Sequence, residues 1–193
     1  MRDIYSVAVF CGSRPGANPA FAAAAQELGF GLAAAGIRLV YGGGKNGLMG
    51  ILADASLVAG GTVLGVIPDF LTKWEVAHDG LTELAITDSM HSRKRRMAEE
   101  ADAFITLPGG VGTLDETIEI LSWRQLRLHD KPIYVCDVAG SAGPFVTAVE
   151  EMIAQGFADP EVRALFTLVD GVPALLDHLG RELHRSVVAA SRF

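Results

Sequence analysis

At 193 residues, half of them hydrophobic and a fifth charged, the chain has the size of one domain and is too apolar to be intrinsically disordered. A formal charge of −7 excludes a general nucleic-acid binder, which needs a basic stripe to neutralise phosphates. The two cysteines, Cys11 and Cys136, sit in apolar runs without zinc or redox spacing and read as buried free thiols of a reducing cytoplasm.

No membrane association is expected. Asp3 and Arg14 bracket an apolar run too short for a signal-peptide core, and the alanine-rich run from Ala20 to Gly36 carries Gln26 and Glu27. The expected location is cytoplasmic.

Residues 6–11 (SVAVFC) form a short apolar run ending at Gly12 and Ser13, the pattern of a buried strand. Pro15, Gly16 and Asn18 mark a loop, and Pro19 suits the first turn of a helix that runs to Gly36. A second strand at 37–41 is broken by Gly42, Gly43 and Gly44. A helix at 48–59 stops at Gly60 and Gly61, and a third strand follows at 62–67. Segment 68–80 (PDFLTKWEVAHDG) lacks periodicity and reads as a lid or irregular loop beside the site. A strand at 81–86 leads to Asp88 and Ser89, either of which can cap the next helix. Then come a strand at 103–107, the turn PGGVGT at 108–113, a helix at 114–126 and a strand at 132–136. A helix at 145–155, a short strand at 167–169 and a terminal helix at 172–183 complete the order, with a loose tail beyond. Strand and helix alternate throughout, and the strands are too continuously apolar to face water. This predicts a single domain over 1–193 of the α/β class, a Rossmann-like parallel sheet with helices on both faces.

Ligands of such sheets bind outside the carboxyl ends of the strands, where three glycine-rich turns fall. Glycine lets the backbone approach an anion closely, which makes Gly12, Ser13, Gly43 and Gly44 candidate ligand loops. The run GGGKNG at 42–47 formally fits GxGxxG, with Asp69 placed as a ribose-binding acid, as in a nicotinamide-dependent oxidoreductase. It follows the second strand rather than the first, and a tight strand-to-helix turn accounts for its glycines equally well. Lys45 is not followed by Ser or Thr, which excludes a P-loop.

PGGVGT says more. Gly109, Gly110 and Gly112, with Thr113 as N-cap, put free amides and a helix N-terminus at one point, which is a phosphate site on physical grounds. Asp115 and Glu116 in the first turn suit the helix dipole but would repel that phosphate, so cations are needed nearby. The cluster Arg93, Lys94, Arg95 and Arg96 can supply them. At helical spacing Arg93 shares a face with Met97 and Arg95 with Glu99, so one or two of the four point inward. His78, His91, His129, His178 and His184 show no metal spacing, and HExxH, CxxC and GxSxG are absent, so no metal is expected and each histidine reads as structural or exposed. Trp123, with Leu121 and Leu126, reads as core or subunit interface.

Met90-His91-Ser92-Arg93-Lys94 followed by PGGVGTLDE at 108–116 resembles the paired signature of the LONELY GUY family, PGGxGTxxE after an Arg-Lys helix. These are cytokinin riboside 5′-monophosphate phosphoribohydrolases, often mislabelled as lysine decarboxylases. The likeness runs from VFCGS at 9–13 through YGGG at 41–44 and GLMG at 47–50 to HDKP at 129–132. It implies a nucleotide-binding domain, and a cofactor-free enzyme that hydrolyses the N-glycosidic bond of N6-substituted adenosine 5′-monophosphates, with AMP a further candidate, to free base and ribose 5-phosphate. It implies catalytic roles for Arg93 and Glu116. Substrate contacts are implied for Glu75, Arg93, Lys94, Gly109, Gly110, Val111, Gly112, Thr113, Leu114, Asp115, Glu116 and Ser122. A homodimer is implied as well. Ser122 stands where the family often has Thr, and Arg14-Pro15 replaces smaller polar residues.

The chemistry agrees with the residues. Breaking this bond builds positive charge on the ribose, and a carboxylate beside C1′ stabilises it or activates water. The rival expectation is a non-catalytic nucleotide or cofactor carrier on the same fold, which would bind AMP without turnover; the presence of both Arg93 and Glu116 counts against it. A true lysine decarboxylase would anchor pyridoxal phosphate on a lysine, and Lys45, Lys73, Lys94 and Lys131 sit in no such motif.

Overall fold

The computed structural model describes residues 4–72 and 77–190, with side chains through Gly180. Seven strands share one sheet in the order β4-β3-β2-β1-β5-β6-β7, and every neighbouring pair is parallel. In chain order the elements are β1 (Ser6–Phe10), α1 (Pro19–Ala34), β2 (Arg38–Tyr41), α2 (Gly47–Val58), β3 (Val63–Pro68) and β4 (Glu83–Thr87). There follow α3 (Met90–Glu100), β5 (Ala103–Thr106), α4 (Val111–Gln125), β6 (Ile133–Asp137), α5 (Gly143–Ala154), β7 (Thr167–Asp170) and α6 (Gly171–Ala190). The expected Rossmann-like α/β architecture is the observed one.

Alternation within each strand feeds two cores. Val7, Val9, Leu39 and Tyr41 pack under α1, α2 and α6, while Ala8, Phe10, Val40 and Phe104 pack under α3, α4 and α5. Leu28, Leu32 and Leu52 are fully buried, each worth about 2 kcal/mol of hydrophobic stabilisation. Helices α1 and α2 touch through small residues: a Cβ on Gly29 would come within 2.7 Å of Ala55. Strand order reverses between β1 and β5, so the loops that follow those two strands splay apart and open a crevice.

Three expectations need correction. β4 is largely exposed, with Ile86 at 61%, because no α-helix covers it among the described residues of segment 69–82, which hold a 3-10 turn, Asp69–Leu71, and an isolated bridge at Ala77. Helix α4 starts at Val111 with Gly110 as N-cap, so Thr113 lies inside the first turn and Asp115 and Glu116 in the second. Helix α6 continues to Ala190, through much of the tail that reads as loose. Among the described residues no helix is long and apolar enough to cross a membrane.

Candidate active site

Gly12 fastens the loops at the carboxyl edge together. Its N–H donates to Pro108 O (3.1 Å), and its carbonyl accepts from Leu48 N (3.0 Å) and Met49 N (3.3 Å). The second of those contacts decides what the GGGKNG turn can do. Leu48 and Met49 supply N-terminal amides of α2, and both are already satisfied inside the protein, leaving little for an anion. Its glycines answer to packing: Gly47 has φ 64°, and a Cβ there would run into the backbone of Ser13 and Arg14. Asp69 lies in the exposed 3-10 turn after β3, where its carbonyl accepts from Thr72, rather than in a ribose pocket.

At α4 the situation is reversed. Gly110 caps without a side chain, and no hydrogen bond among the described residues reaches the amides of Val111, Gly112 or Thr113. Gly109 is required by packing, since a Cβ would land on the Thr113 hydroxyl. A Cβ on Gly110 or Gly112 would meet nothing within 4 Å, so neither is glycine for the sake of the fold. A cavity of about 480 Å³ lies between the β1 and β5 loops, walled by Ser13, Arg14, Gly109, Gly110 and Ser141, so it reaches the N-cap of α4 but not the three residues after it.

Helix α3 presents the cations and is held at both ends. Ser89 and Ser92 form a capping box, with Ser92 N donating to Ser89 Oγ (3.2 Å) and Ser89 N to Ser92 Oγ (3.1 Å). Lys131 Nζ donates to Ala98 O (2.7 Å) and Ala101 O (2.6 Å) at the other end. The buried residues of α3 are Arg93 and Met97, one turn apart. Arg93, 6% exposed, extends Nη2 to Gly42 O (3.4 Å) and to Glu116 Oε1 (3.6 Å), and its Nε has no partner among the described residues. Gly42 has to be glycine here, because a Cβ would fall on that guanidinium. Glu116 is 9% exposed, and the buried thiol of Cys11 is pushed well above its usual range by burial and by the Glu116 carboxylate. Cys11 is thus a neutral wall rather than a nucleophile.

A family model described as "Possible lysine decarboxylase" matches residues 49–179. The cytokinin riboside 5′-monophosphate phosphoribohydrolase of Rhodococcoides fascians is 47% identical over 160 residues, 82% of this chain and 81% of that protein. Its Arabidopsis thaliana counterpart LOG1 is 38% identical over 186 residues, covering 96% and 87%. The chain belongs to the LONELY GUY family. Among solved structures, the molybdenum cofactor carrier protein of Chlamydomonas reinhardtii superposes with a TM-score of 0.69 at 20% identity, covering 95% of this chain and 99% of that one. That likeness is one of fold.

Of the remaining residues implied by the LONELY GUY signature, those described lie on α3 and α4, and none of them lines the cavity. Lys94 Nζ lies between Asp115 Oδ2 (3.1 Å) and Glu119 Oε2 (3.0 Å), the latter a close ion pair off hydrogen-bond alignment. Its partial burial acts to lower its pKa, but Glu119 and Asp115 outweigh that and hold it above the ordinary lysine value. Arg95 and Arg96 turn outward to Glu99 (2.8 Å) and Glu100 (2.7 Å). Two of the four basic residues face inward, as helical spacing predicts. Val111, Leu114 and Ser122 occupy the exposed side of α4, and Ser122 Oγ donates back to Ile118 O (2.8 Å). Glu75 lies outside the described residues. The end of its segment is strapped to the second glycine turn: His78 N donates to Gly43 O (2.9 Å), Lys45 pairs with Asp79 (2.7 Å), and His78 Nε2 meets Asp54 (2.9 Å). His78 Nδ1 accepts from Gly80 N (3.0 Å), so the neutral ring carries its proton on Nε2. The sequence does not announce Asp54, because its partner His78 lies 24 residues away.

Proposed function

We propose that this protein is a hydrolase that cleaves the N-glycosidic bond of N6-substituted adenosine 5′-monophosphates, giving free base and ribose 5-phosphate without a cofactor. The observation that carries the reading is the buried Arg93–Glu116 pair beside a helix N-terminus whose amides are free. The 5′-phosphate sits on the amides of Val111, Gly112 and Thr113, which fixes the ribose. The bond from C1′ to the purine breaks with its electron pair leaving on the base, and Glu116 faces the positive charge that develops on the ribose. Water adds to C1′ and gives a proton to Glu116, which then releases it to solvent, while the departing base takes one proton from solvent, so that one proton passes from water to base overall. Arg93 offsets the buried carboxylate and aims it; a lone buried charge would cost several kcal/mol, on the order of that measured when such pairs are broken.

Relatives named phosphoribohydrolases at 38% and 47% identity support this reading. With it go a single nucleotide-binding domain, a cytoplasmic location, no nucleic-acid or membrane partner, and a homodimer. The exposed apolar residues Val111, Leu114 and Ile118 on α4 support the dimer, since a second copy would cover them and bring Leu114 and Ser122 to the ligand. Glu75 and Lys94 complete the substrate contacts, Lys94 by holding Asp115.

Purified protein should release free base from isopentenyladenosine 5′-monophosphate, read by chromatography, and Glu116→Gln should not. Binding of AMP without release of base from any nucleotide would replace the enzyme with a carrier.

A further inference from the structure

A phosphate on the α4 amides carries close to two negative charges, and helix-terminal amides alone do not balance them. The cations suggested by the sequence are committed elsewhere: Lys94 to Asp115 and Glu119, Arg93 to Gly42 O and Glu116. Neither lines the cavity beside Gly109 and Gly110. Among the described residues that do, Arg14 is the ionisable one, and no carboxylate faces it there. Arg14 is exposed, and its guanidinium makes no hydrogen bond or ion pair among the described residues. Its mount is rigid. A Cβ on Gly12 would come within 2.8 Å of Arg14 O, Gly47 packs against the Ser13–Arg14 backbone, and Gly16 (φ 74°) turns the chain just beyond.

We propose that Arg14 is a specificity-determining residue for the 5′-phosphate. Its guanidinium folds over the phosphate from the β1 side, opposite the α4 amides, and so separates the nucleotide from the unphosphorylated riboside. A planar fork matches two phosphate oxygens at once, while its long stem lets it swing from a fixed backbone. The inference rests on the hydrolase reading for its substrate, but the free guanidinium and the free amides define an anion site whether or not the bound molecule is cleaved.

The test compares wild type with Arg14→Ala and Arg14→Lys by steady-state kinetics on isopentenyladenosine 5′-monophosphate and its riboside, and by calorimetry with ribose 5-phosphate. In Arg14→Ala the KM for the nucleotide should rise about tenfold or more with kcat changed less than about twofold. The ratio of kcat/KM for nucleotide over riboside should fall in step. Arg14→Lys, which keeps the charge and loses the fork, should fall between. A KM within about twofold of wild type in Arg14→Ala, or a loss confined to kcat, overturns the proposal. If wild type releases no base at all, the hydrolase reading fails and calorimetry decides Arg14 alone. Ribose 5-phosphate binding that weakens about tenfold in Arg14→Ala upholds the anion site, whereas equal binding, or none to wild type, overturns it.

Discussion

Helices α2 and α4 both begin at glycine-rich turns at the carboxyl edge of one parallel sheet, yet their N-termini do opposite jobs. At α2 the amides of Leu48 and Met49 are taken up by Gly12 O, and Gly47 is glycine because the neighbouring loop backbone occupies the space of a Cβ. At α4 no hydrogen bond among the described residues reaches the first amides, and Gly110 and Gly112 border open space. A glycine motif therefore says that backbone comes close to something. Whether that something is the protein or a ligand depends on what accepts the amides.

Substitutions can break this contrast or sharpen it. The largest effect is expected at Glu116: Glu116→Gln should lower kcat by about 10²–10⁴-fold, the range for losing a positioned acid or base, with secondary structure by circular dichroism unchanged. Gly42→Ala comes next. It places a methyl on the Arg93 guanidinium, and misplacing that group should lower kcat about 10²-fold while AMP binding survives in calorimetry. Gly47→Ala and Gly112→Ala then form the direct comparison. The first forces an alanine to φ 64° against backbone and should cost about 1–3 kcal/mol in chemical denaturation. The second should leave stability equal or up to about 1 kcal/mol higher, since alanine suits a helix better, while raising KM. Equal stability losses in the two variants would erase the distinction between the turns.

The smallest effect concerns the far end of α4, where His129 Nε2 bonds to Ile120 O (3.0 Å). Burial, more than the nearby Arg124 and Lys131 charges, lowers the His129 pKa below its ordinary 6.5, although the Ile120 carbonyl and Asp130 oppose this. The unfolded chain therefore binds the proton more readily. The stabilisation is complete above about pH 6.5 and is lost as the pH falls through the lower folded value. Denaturation midpoints should drop between pH 7.5 and 5.5, and less so in His129→Asn.

Much of this was legible in the sequence because it depends on local pattern. Apolar runs marked the strands, Pro19 and Ser89 marked helix starts, and the spacing of Arg93 with Met97 separated inward from outward cations. The start of α4 was displaced because Gly110, Val111 and Gly112 read as turn residues, though Gly110 caps and the others begin the helix. That shift moves Asp115 and Glu116 out of the first turn, so the dipole explains them less well than Lys94 and Arg93 do. The exposure of β4 is not legible in the sequence because it follows from the lack of a covering helix among the described residues between β3 and β4. In the sequence Arg14 is a departure from the family pattern. Its importance depends on which other cations are already paired, and pairing between distant residues leaves no local trace.

The three hydrogen bonds on Gly12 have one more consequence, for anyone who would re-engineer the enzyme. The β1 loop, the α2 turn and the α4 turn form one fixture, so transplanting any of them alone into a related scaffold would leave carbonyls and amides without partners. The interchangeable part is the segment between β3 and β4, whose described residues join that fixture through His78, Asp79 and the Gly44–Ala77 bridge. Loop exchange there is the natural route to new substrates on an unaltered chassis.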